Sequence, residues 1–420
     1  MSRARALAAT TLTAIGLGRL RSARPATAEW LDQRSGYRGL LRFALYEAVP
    51  VRGAWAYSLG SAVLILIANQ FITGIFLTMN YVPSVTEGWQ SLDYLRTHDR
   101  FGELIRGLHL WGAYVLMFVI GLHMIRTFLS GSYKRPRELN WISGSVLFLL
   151  VLGMAITGAM LPWDQAAYYT AVVTTNIPSY TPVIGEYLRT LWRGGEFVGP
   201  ITLLRTYGLH IWVLAGLLLA TIGGHLYYLR RHGEFGSYVN YTGFYRTRSA
   251  SSDSLNGEGA DGEEPAEPDI EQRELEPPYP TAPIEEMWSA PRKTEDFYPH
   301  QTFRDGLVSL VCMVAVLVLA LVVGAPLEDP ATQNTVTYTP VPEWFYLPLD
   351  QLLVLVPQQL ISLVIWLPLV GVGLLFALPF IDRGPERTPF ERAAVMVVGG
   401  VIVAFIVVLT ALGAGRLFNL

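Results

Sequence analysis

Four of the chain's seven histidines fall in two matched pairs inside apolar stretches. His109 and His123 bound "HLWGAYVLMFVIGLH", fourteen residues apart, and His210 and His225 bound "HIWVLAGLLLATIGGH", fifteen apart. On a helix rising about 1.5 Å per residue these spacings are roughly 21 and 22 Å, most of the hydrocarbon thickness of a bilayer. Fourteen steps of about 100° end roughly 40° short of whole turns, and fifteen overshoot by roughly 60°. Each helix therefore shows two imidazoles on about one side, one near each membrane face. A lone histidine in a membrane span is ordinarily a packing or proton-relay residue. Two facing helices with such pairs could instead give one imidazole each to two metals stacked across the bilayer. Bis-imidazole ligation suits haem iron; zinc calls for further ligands that the sequence does not show.

Glycines repeat the same step. Gly60 and Gly74 are fourteen apart, as are Gly144 and Gly158. Small-residue helix packing is the ordinary explanation, but the shared period favours side-chain-free surface for a planar macrocycle wedged in a four-helix bundle. Haem propionates need cationic partners. Arg106 lies three residues before His109, Arg126 three after His123, and Arg230 follows His225 closely. All three also suit snorkelling anchors at span ends.

The elements that must hold these residues are membrane helices. The chain is 51% hydrophobic and 15% charged, against about 25% charged in a soluble protein. Seven spans are expected, near 57–80, 106–129, 143–162, 207–229, 305–324, 360–381 and 393–414. The fold class is thus all-α and polytopic: a four-helix diheme bundle followed by a three-helix module. Basic stretches precede span one and follow spans two ("YKRPRE"), four ("LRRHGEF", "YRTR") and six ("DRGPER"). They share one side, which puts the N-terminus in the cytoplasm and the protein, multi-pass, in the plasma membrane. The single cysteine, Cys312, excludes disulfides, cysteine-ligated iron–sulfur clusters and CxxCH haem attachment within the chain. A net charge of −3 gives no reason to expect nucleic acid.

Four regions follow: a cytoplasmic arm (1–56), the diheme domain (57–248), a linker (249–290) and the C-terminal module (291–420). The arm's "RARALAATTLTAIGLG" faintly imitates a signal peptide, but its apolar run is short and arginines follow at once. The linker holds twelve Asp/Glu and one Arg among Pro, Gly and Ser, too polar to pack a core. Between spans five and six stands "TPVPEWFYLPL", with the acid Glu343 framed by Pro342, Trp344 and Phe345. Parity places this loop outside. A partly desolvated carboxylate has a raised pKa and can take a proton and pass it to water; a capping or interfacial acid is the plainer alternative.

"LIRGLHLWG", "GLHMIR", "YKRPRELNW", "TGAMLPWDQAAYY" and "HLYYLRR" resemble cytochrome b of the quinol:cytochrome oxidoreductases, in particular the cytochrome b6 type with its fourteen residues between the second pair of histidines. "TPVPEWFYLPLDQLL" and the last two spans resemble subunit IV of the cytochrome b6f complex. From about Trp30 on, the chain looks like these two proteins fused through the acidic tether. The resemblance implies two b haems, a low-potential one on His109 and His210 near the outer face and a high-potential one on His123 and His225 near the cytoplasm. It implies that "PEWF" is the family's PEWY motif, that Glu343 takes a proton from quinol at an outer site, and that "PWDQ" (162–165) walls that site.

Two departures stand out. Phe345 holds the place of the motif's tyrosine, with Tyr346 next to it. Ser58 in "WAYSLGS" holds the place of the cysteine that anchors an extra covalent haem in cytochrome b6, so none is expected. Asp305 is the candidate for proton uptake at the inner quinone site, with Arg230 near it in role. The resemblance further implies a Q cycle, a Rieske iron–sulfur protein, a c-type cytochrome or other acceptor as partners, and a homodimer. Two rivals are a diheme subunit linking quinol to another reductase, such as nitrate reductase, and a haem-free histidine-relay transporter.

Overall fold

The computed structural model describes residues 30–35, 48–50, 54–232, 294–332, 338, 341–364 and 366–417. Of the expected cytoplasmic arm (1–56) only residues 30–35, 48–50 and 54–56 are among those described, and the expected acidic linker (249–290) lies wholly outside them. Long uncharged runs of Leu, Ile, Val and Ala become helices because in lipid every backbone N–H and C=O has to be satisfied within the segment. They are α1 (Ala54–Asn80), α3 (Gly102–Leu129), α4 (Glu138–Ala159), α7 (Pro200–Arg231), α8 (Thr302–Val322), α10 (Trp366–Ile381) and α11 (Ala393–Leu417). Short helices α2 (Gly88–His98), α5 (Gln165–Asn176), α6 (Gly185–Arg193) and α9 (Leu347–Leu355) ride on the connections.

Six helices are long and apolar enough to cross a membrane. The sixth expected span, 360–381, is shorter: α10 has 16 residues and follows a separate helical turn at Ile361–Val364. The count of seven thus stands at six full spans and one short apolar helix among the described residues. The fold is an all-α, multi-pass membrane protein. The described exception is a three-residue antiparallel pair, β1 (Ala48–Pro50) with β2 (Thr294–Asp296), in register Val49 to Glu295.

Packing divides the chain into two compact units. The small one includes β1, β2 and the residues up to Arg304; the large one begins at Trp55 and resumes at Asp305. In the large unit one core joins α1 (Ala62, Leu66, Ile67), α3 (Leu116, Met117, Val119, Ile120), α4 (Val151), α7 (Leu218) and α8 (Val316), with Phe345 packed against it. Away from that core large side chains such as Ile72, Trp212 and Val397 lie exposed, as a helix facing lipid requires.

Local rules explain the ends. Asp164 caps α5, accepting from Ala167 N at 2.9 Å. Gly194 closes α6 at φ 77°. Inside α7, Leu209–Leu214 is a π-helical turn, which takes up one extra residue. That turn contains His210. Subtracting its extra residue makes fifteen steps behave as fourteen, so the second histidine pair keeps the phase of the first.

Candidate functional site

Each spaced glycine faces an imidazole. A Cβ built on Gly74 would sit 3.3 Å from His109 Cε1, and one on Gly158 2.9 Å from His210 Cε1. The second set repeats this, with Gly60 3.3 Å from His123 Cε1 and Gly144 3.1 Å from His225 Cε1. Helices α1 and α4 thus give the rings of α3 and α7 the room that any side chain would take. What the structure presses against the glycines is the imidazole itself.

The residue before three of these glycines carries a hydroxyl, and it meets the same ring. Thr73 Oγ1 lies 2.8 Å from His109 Nδ1, Thr157 Oγ1 3.0 Å from His210 Nδ1, and Ser143 Oγ 3.0 Å from His225 Nδ1. Each hydroxyl also donates its hydrogen to a carbonyl of its own helix: Thr73 to Asn69 at 2.6 Å, Thr157 to Gly153 at 2.7 Å, and Ser143 to Asn140 at 2.9 Å. The oxygen can then only accept from the ring, which places the proton on Nδ1 and leaves Nε2 with its lone pair. That is the tautomer a metal-binding histidine needs, fixed by a hydrogen bond to its other nitrogen. Sequence reasoning missed these hydroxyls, although their place before the spaced glycines was a usable signal. Leu59 stands at the fourth such position, beside Gly60.

The rings of His109 and His210 face one another with centroids 6.5 Å apart. Two imidazoles bonded on opposite sides of one metal, each at about 2 Å and with a ring radius of roughly 1.1 Å, have centroids about 6.3 Å apart. The observed spacing fits bis-imidazole ligation. His123 and His225 lie close enough to interact electrostatically. Among the described residues no group of three or more His, Cys, Asp or Glu could hold a bare metal ion. Two nitrogen donors per site suit an iron whose other positions are filled by a macrocycle.

The arginines take different surroundings. Arg106 is buried, with Nη1 3.1 Å from Glu103 Oε2, and Glu103 Oε1 accepts from Ala325 N at 2.8 Å. Arg126 lies over the Tyr57 ring at 3.8 Å. Arg230 is half-buried, five residues past His225 on α7.

The PEWF loop lands at the His109 end of the bundle. Pro342 and Glu343 are half-buried, and Trp344 is 37% exposed. Burial pushes the Glu343 carboxyl above the ordinary carboxylate range. Phe345 points into the core, edge-on to Tyr114 of α3 with centroids 5.8 Å apart. The hydroxyl of Tyr346 donates to Leu152 O on α4 at 2.6 Å. "PWDQ" holds the other end of the connector: Asp164 Oδ2 accepts from Glu328 N at 3.1 Å, Gln165 N donates to Asp329 O at 3.0 Å, and Gln165 Nε2 donates to Thr332 Oγ1 at 2.7 Å. At the opposite end of α1, Ser61 Oγ donates to Asp305 Oδ2 at 2.8 Å, one residue from Gly60 and so beside His123. Ser58 is fully buried on the same helix.

Comparison with known proteins matches both parts. Residues 46–233 match the family described as Cytochrome b/b6/petB, and residues 330–418 the family described as Cytochrome b(C-terminal)/b6/petD. Cytochrome b6 of Synechococcus sp. (strain JA-3-3Ab) is 38% identical over 208 residues, which cover 50% of this chain and 97% of that protein. The menaquinol:cytochrome c reductase cytochrome b subunit of Geobacillus thermodenitrificans is 36% identical over 216 residues, covering 50% and 96%. A chain of the solved structure "Hyperthermophilic respiratory Complex III" superposes with a TM-score of 0.72 at 26% identity, over 92% of this chain and 91% of that one. With its first half aligned to nearly the whole of a cytochrome b6 and its C-terminal part to the petD family, the chain belongs to the cytochrome b/b6 family, both portions carried in one polypeptide.

Proposed function

We propose that the chain is the diheme cytochrome b subunit of a bc-type quinol-oxidising complex. The observation that carries this reading is the His109–His210 pair, with ring centroids 6.5 Å apart and each Nδ1 hydrogen-bonded to a threonine hydroxyl. As a cytochrome b, the chain carries b-type haem, and the group supplies one-electron transfer when bound. His109 and His210 hold one such haem, the low-potential one near the outer face, and His123 and His225 hold the high-potential one near the cytoplasm. Arg106, Arg126 and Arg230 stand near the span ends where propionates would lie. Gly60, Gly74, Gly144 and Gly158 keep the ligand rings in place.

Glu343 accepts a proton from quinol at the outer site and releases it to outer water. Its half-buried place and raised pKa suit it to hold that proton briefly. Pro342, Trp344 and Phe345 frame the pocket, and "PWDQ" fixes its second border. At the other face Asp305, held by Ser61, is the proton donor for quinone reduction. An electron moved between the faces works against about 2.3 kcal/mol per 100 mV. The partner path that takes the other electron of quinol is therefore required: a Rieske iron–sulfur protein and a c-type cytochrome or other acceptor. The orientation is N-terminus inside, in the plasma membrane, as a homodimer. The two modules and their acidic tether follow the divisions 57–248, 249–290 and 291–420.

The test pairs haem analysis with a Glu343→Gln variant. Two extractable b haems per chain, titrating at separate potentials, are expected in both proteins. Quinol oxidation in the variant is expected to fall about a hundredfold, as for loss of a general base. Absence of haem would overturn the ligand assignment, and an unchanged rate would remove Glu343 from the proton path.

A further inference from the structure

The PEWF loop lacks a hydroxyl where the resembled motif carries one, because Phe345 takes the tyrosine's place. The neighbouring tyrosine does not make up the loss: the Tyr346 hydroxyl is committed to Leu152 O at 2.6 Å, on α4. A third aromatic ring closes on this spot from α3. Tyr114 meets Phe345 edge-on with centroids 5.8 Å apart, and is braced behind by Trp111 at 5.3 Å, whose indole N–H donates to Gly324 O at 2.8 Å. Tyr114 is close enough to Glu343 to interact with its charge. Its hydroxyl makes no hydrogen bond among the described residues, while the other tyrosine near the acid is spent.

We infer that Tyr114 provides the hydroxyl that Phe345 cannot, as the residue that positions Glu343 for proton acceptance. The inference rests on the proposed role of Glu343 in quinol oxidation. In it, the Tyr114 O–H donates to the Glu343 carboxylate and orients one oxygen towards the quinol O–H. The quinol proton passes to that oxygen, leaving Glu343 neutral, and Tyr114 keeps its own proton throughout. The titratable groups that face Glu343 among the described residues are Tyr114 on α3 and Tyr346 in its own loop. A donor to the charged form of an acid favours that form, so removing it moves the acid's titration upward. The aromatic frame explains why the replacement works from another helix. Phe345 presents an edge to Tyr114 and keeps the tyrosine ring at the loop, so the hydroxyl is delivered across the seam between α3 and the connector rather than from within the motif.

The experiment compares four purified complexes: unmodified, Tyr114→Phe, the double variant Tyr114→Phe with Phe345→Tyr, and Glu343→Gln. Reduced-minus-oxidised spectra establish that haem is retained in each. For Tyr114→Phe, kcat for quinol oxidation is expected to fall about tenfold and the acid limb of its pH profile to rise by about one unit, the worth of a hydrogen bond to a charged group. KM is expected to change little. Restoring a hydroxyl at position 345 is expected to recover most of the rate and return the limb. A Tyr114→Phe complex with unchanged kcat and pH profile, beside a slowed Glu343→Gln, would overturn this inference alone. So would a change in KM only, which would mark Tyr114 as packing. An unslowed Glu343→Gln would overturn the reading on which the inference stands.

Discussion

Alanine at the four ring-facing glycines makes a graded test, because the space at each differs. Ordinary van der Waals contact begins at 3.4 Å, and a Cβ at position 158 would stand 2.9 Å from His210 Cε1. The ring has to retreat by 3.4 − 2.9 = 0.5 Å. The same subtraction gives 0.3 Å for Gly144 against His225, and 0.1 Å for Gly60 and Gly74 against His123 and His109. Metal–nitrogen bonds tolerate displacements of about 0.2 Å, so only positions 158 and 144 exceed the tolerance. His210 has little freedom to yield, being seated in the π-helical turn and bonded through Nδ1 to Thr157, the residue beside the new methyl. Overpacking of this kind costs about 1–3 kcal/mol, which corresponds to roughly 5- to 150-fold in haem affinity. Haem per chain is measured by pyridine haemochrome after washing in detergent, together with a redox titration. Gly158→Ala is expected to lose most of the haem held by His109 and His210, Gly144→Ala to lose part of the other, and Gly60→Ala and Gly74→Ala to keep both. Equal retention in all four variants would refute the idea that these glycines exist to make room for the ligand rings.

Thr157→Val keeps the shape and removes the acceptor for His210 Nδ1–H, so haem affinity at that site is expected to drop about 10- to 100-fold with a shift in its midpoint potential; potentiometry that finds affinity and midpoint unchanged would take Thr157 out of the ligand's support. At the other end of the bundle, Asp382 accepts from Tyr133 at 2.6 Å and pairs with Lys134 at 2.7 Å and Arg392 at 2.9 Å, all four buried. Asp382→Asn leaves two buried cations without their counter-charge and is expected to cost about 3–5 kcal/mol, read as a lowered midpoint in detergent thermal unfolding. Burial pushes the Asp382 carboxyl up, but the hydrogen bonds from Lys134, Tyr133 and Arg392 outweigh it and hold it below the ordinary value. A carboxyl depressed in the folded state stabilises above its unfolded pKa, and that contribution is lost as pH falls through its folded one. The unmodified protein is therefore expected to destabilise on strong acidification while Asp382→Asn shows less change, and parallel pH curves would refute the assignment.

The membrane helices were legible because hydropathy and length decide them. Expected spans 57–80 and 106–129 became Ala54–Asn80 and Gly102–Leu129. The third moved earlier, to Glu138, because an acid in the first turn suits the positive end of a helix as well as a loop. The sixth came out short. The histidines and glycines were legible by their common period. Two features were not. The hydroxyls of Thr73, Ser143 and Thr157 matter only once a neighbouring helix brings a ring to them, and a threonine in a span ordinarily bonds its own backbone, as these also do. The π-helical turn was hidden in the mismatch between fourteen and fifteen. A straight helix would have turned that difference into about 100° of misalignment, which the actual backbone absorbs around His210.

The joining of the two modules was the least legible part, and it bears most on the proposed chemistry. In lipid, apolar faces gain little by meeting each other, so helix association depends on close packing and on interhelical hydrogen bonds. The seam follows that rule with donors aimed at backbone carbonyls, which leave no pattern in a sequence. Trp111 bonds Gly324 O at 2.8 Å, Trp141 bonds Leu375 O at 2.7 Å, and Tyr346 bonds Leu152 O. Gly324 is required there: its φ of +71° disfavours other residues, and a Cβ would fall 2.8 Å from Glu103 Oε1, the carboxylate that also holds Arg106. The Tyr346 bond reaches α4 five residues before Thr157, the partner of His210. The loop bearing Glu343 is thus fastened to the same helix that hydrogen-bonds His210 of the His109–His210 pair. In the proposed function, proton acceptance and electron acceptance from one quinol need a fixed spacing; α4 and its carbonyls would set it, so a covalent link between the two portions is not what that geometry would depend on.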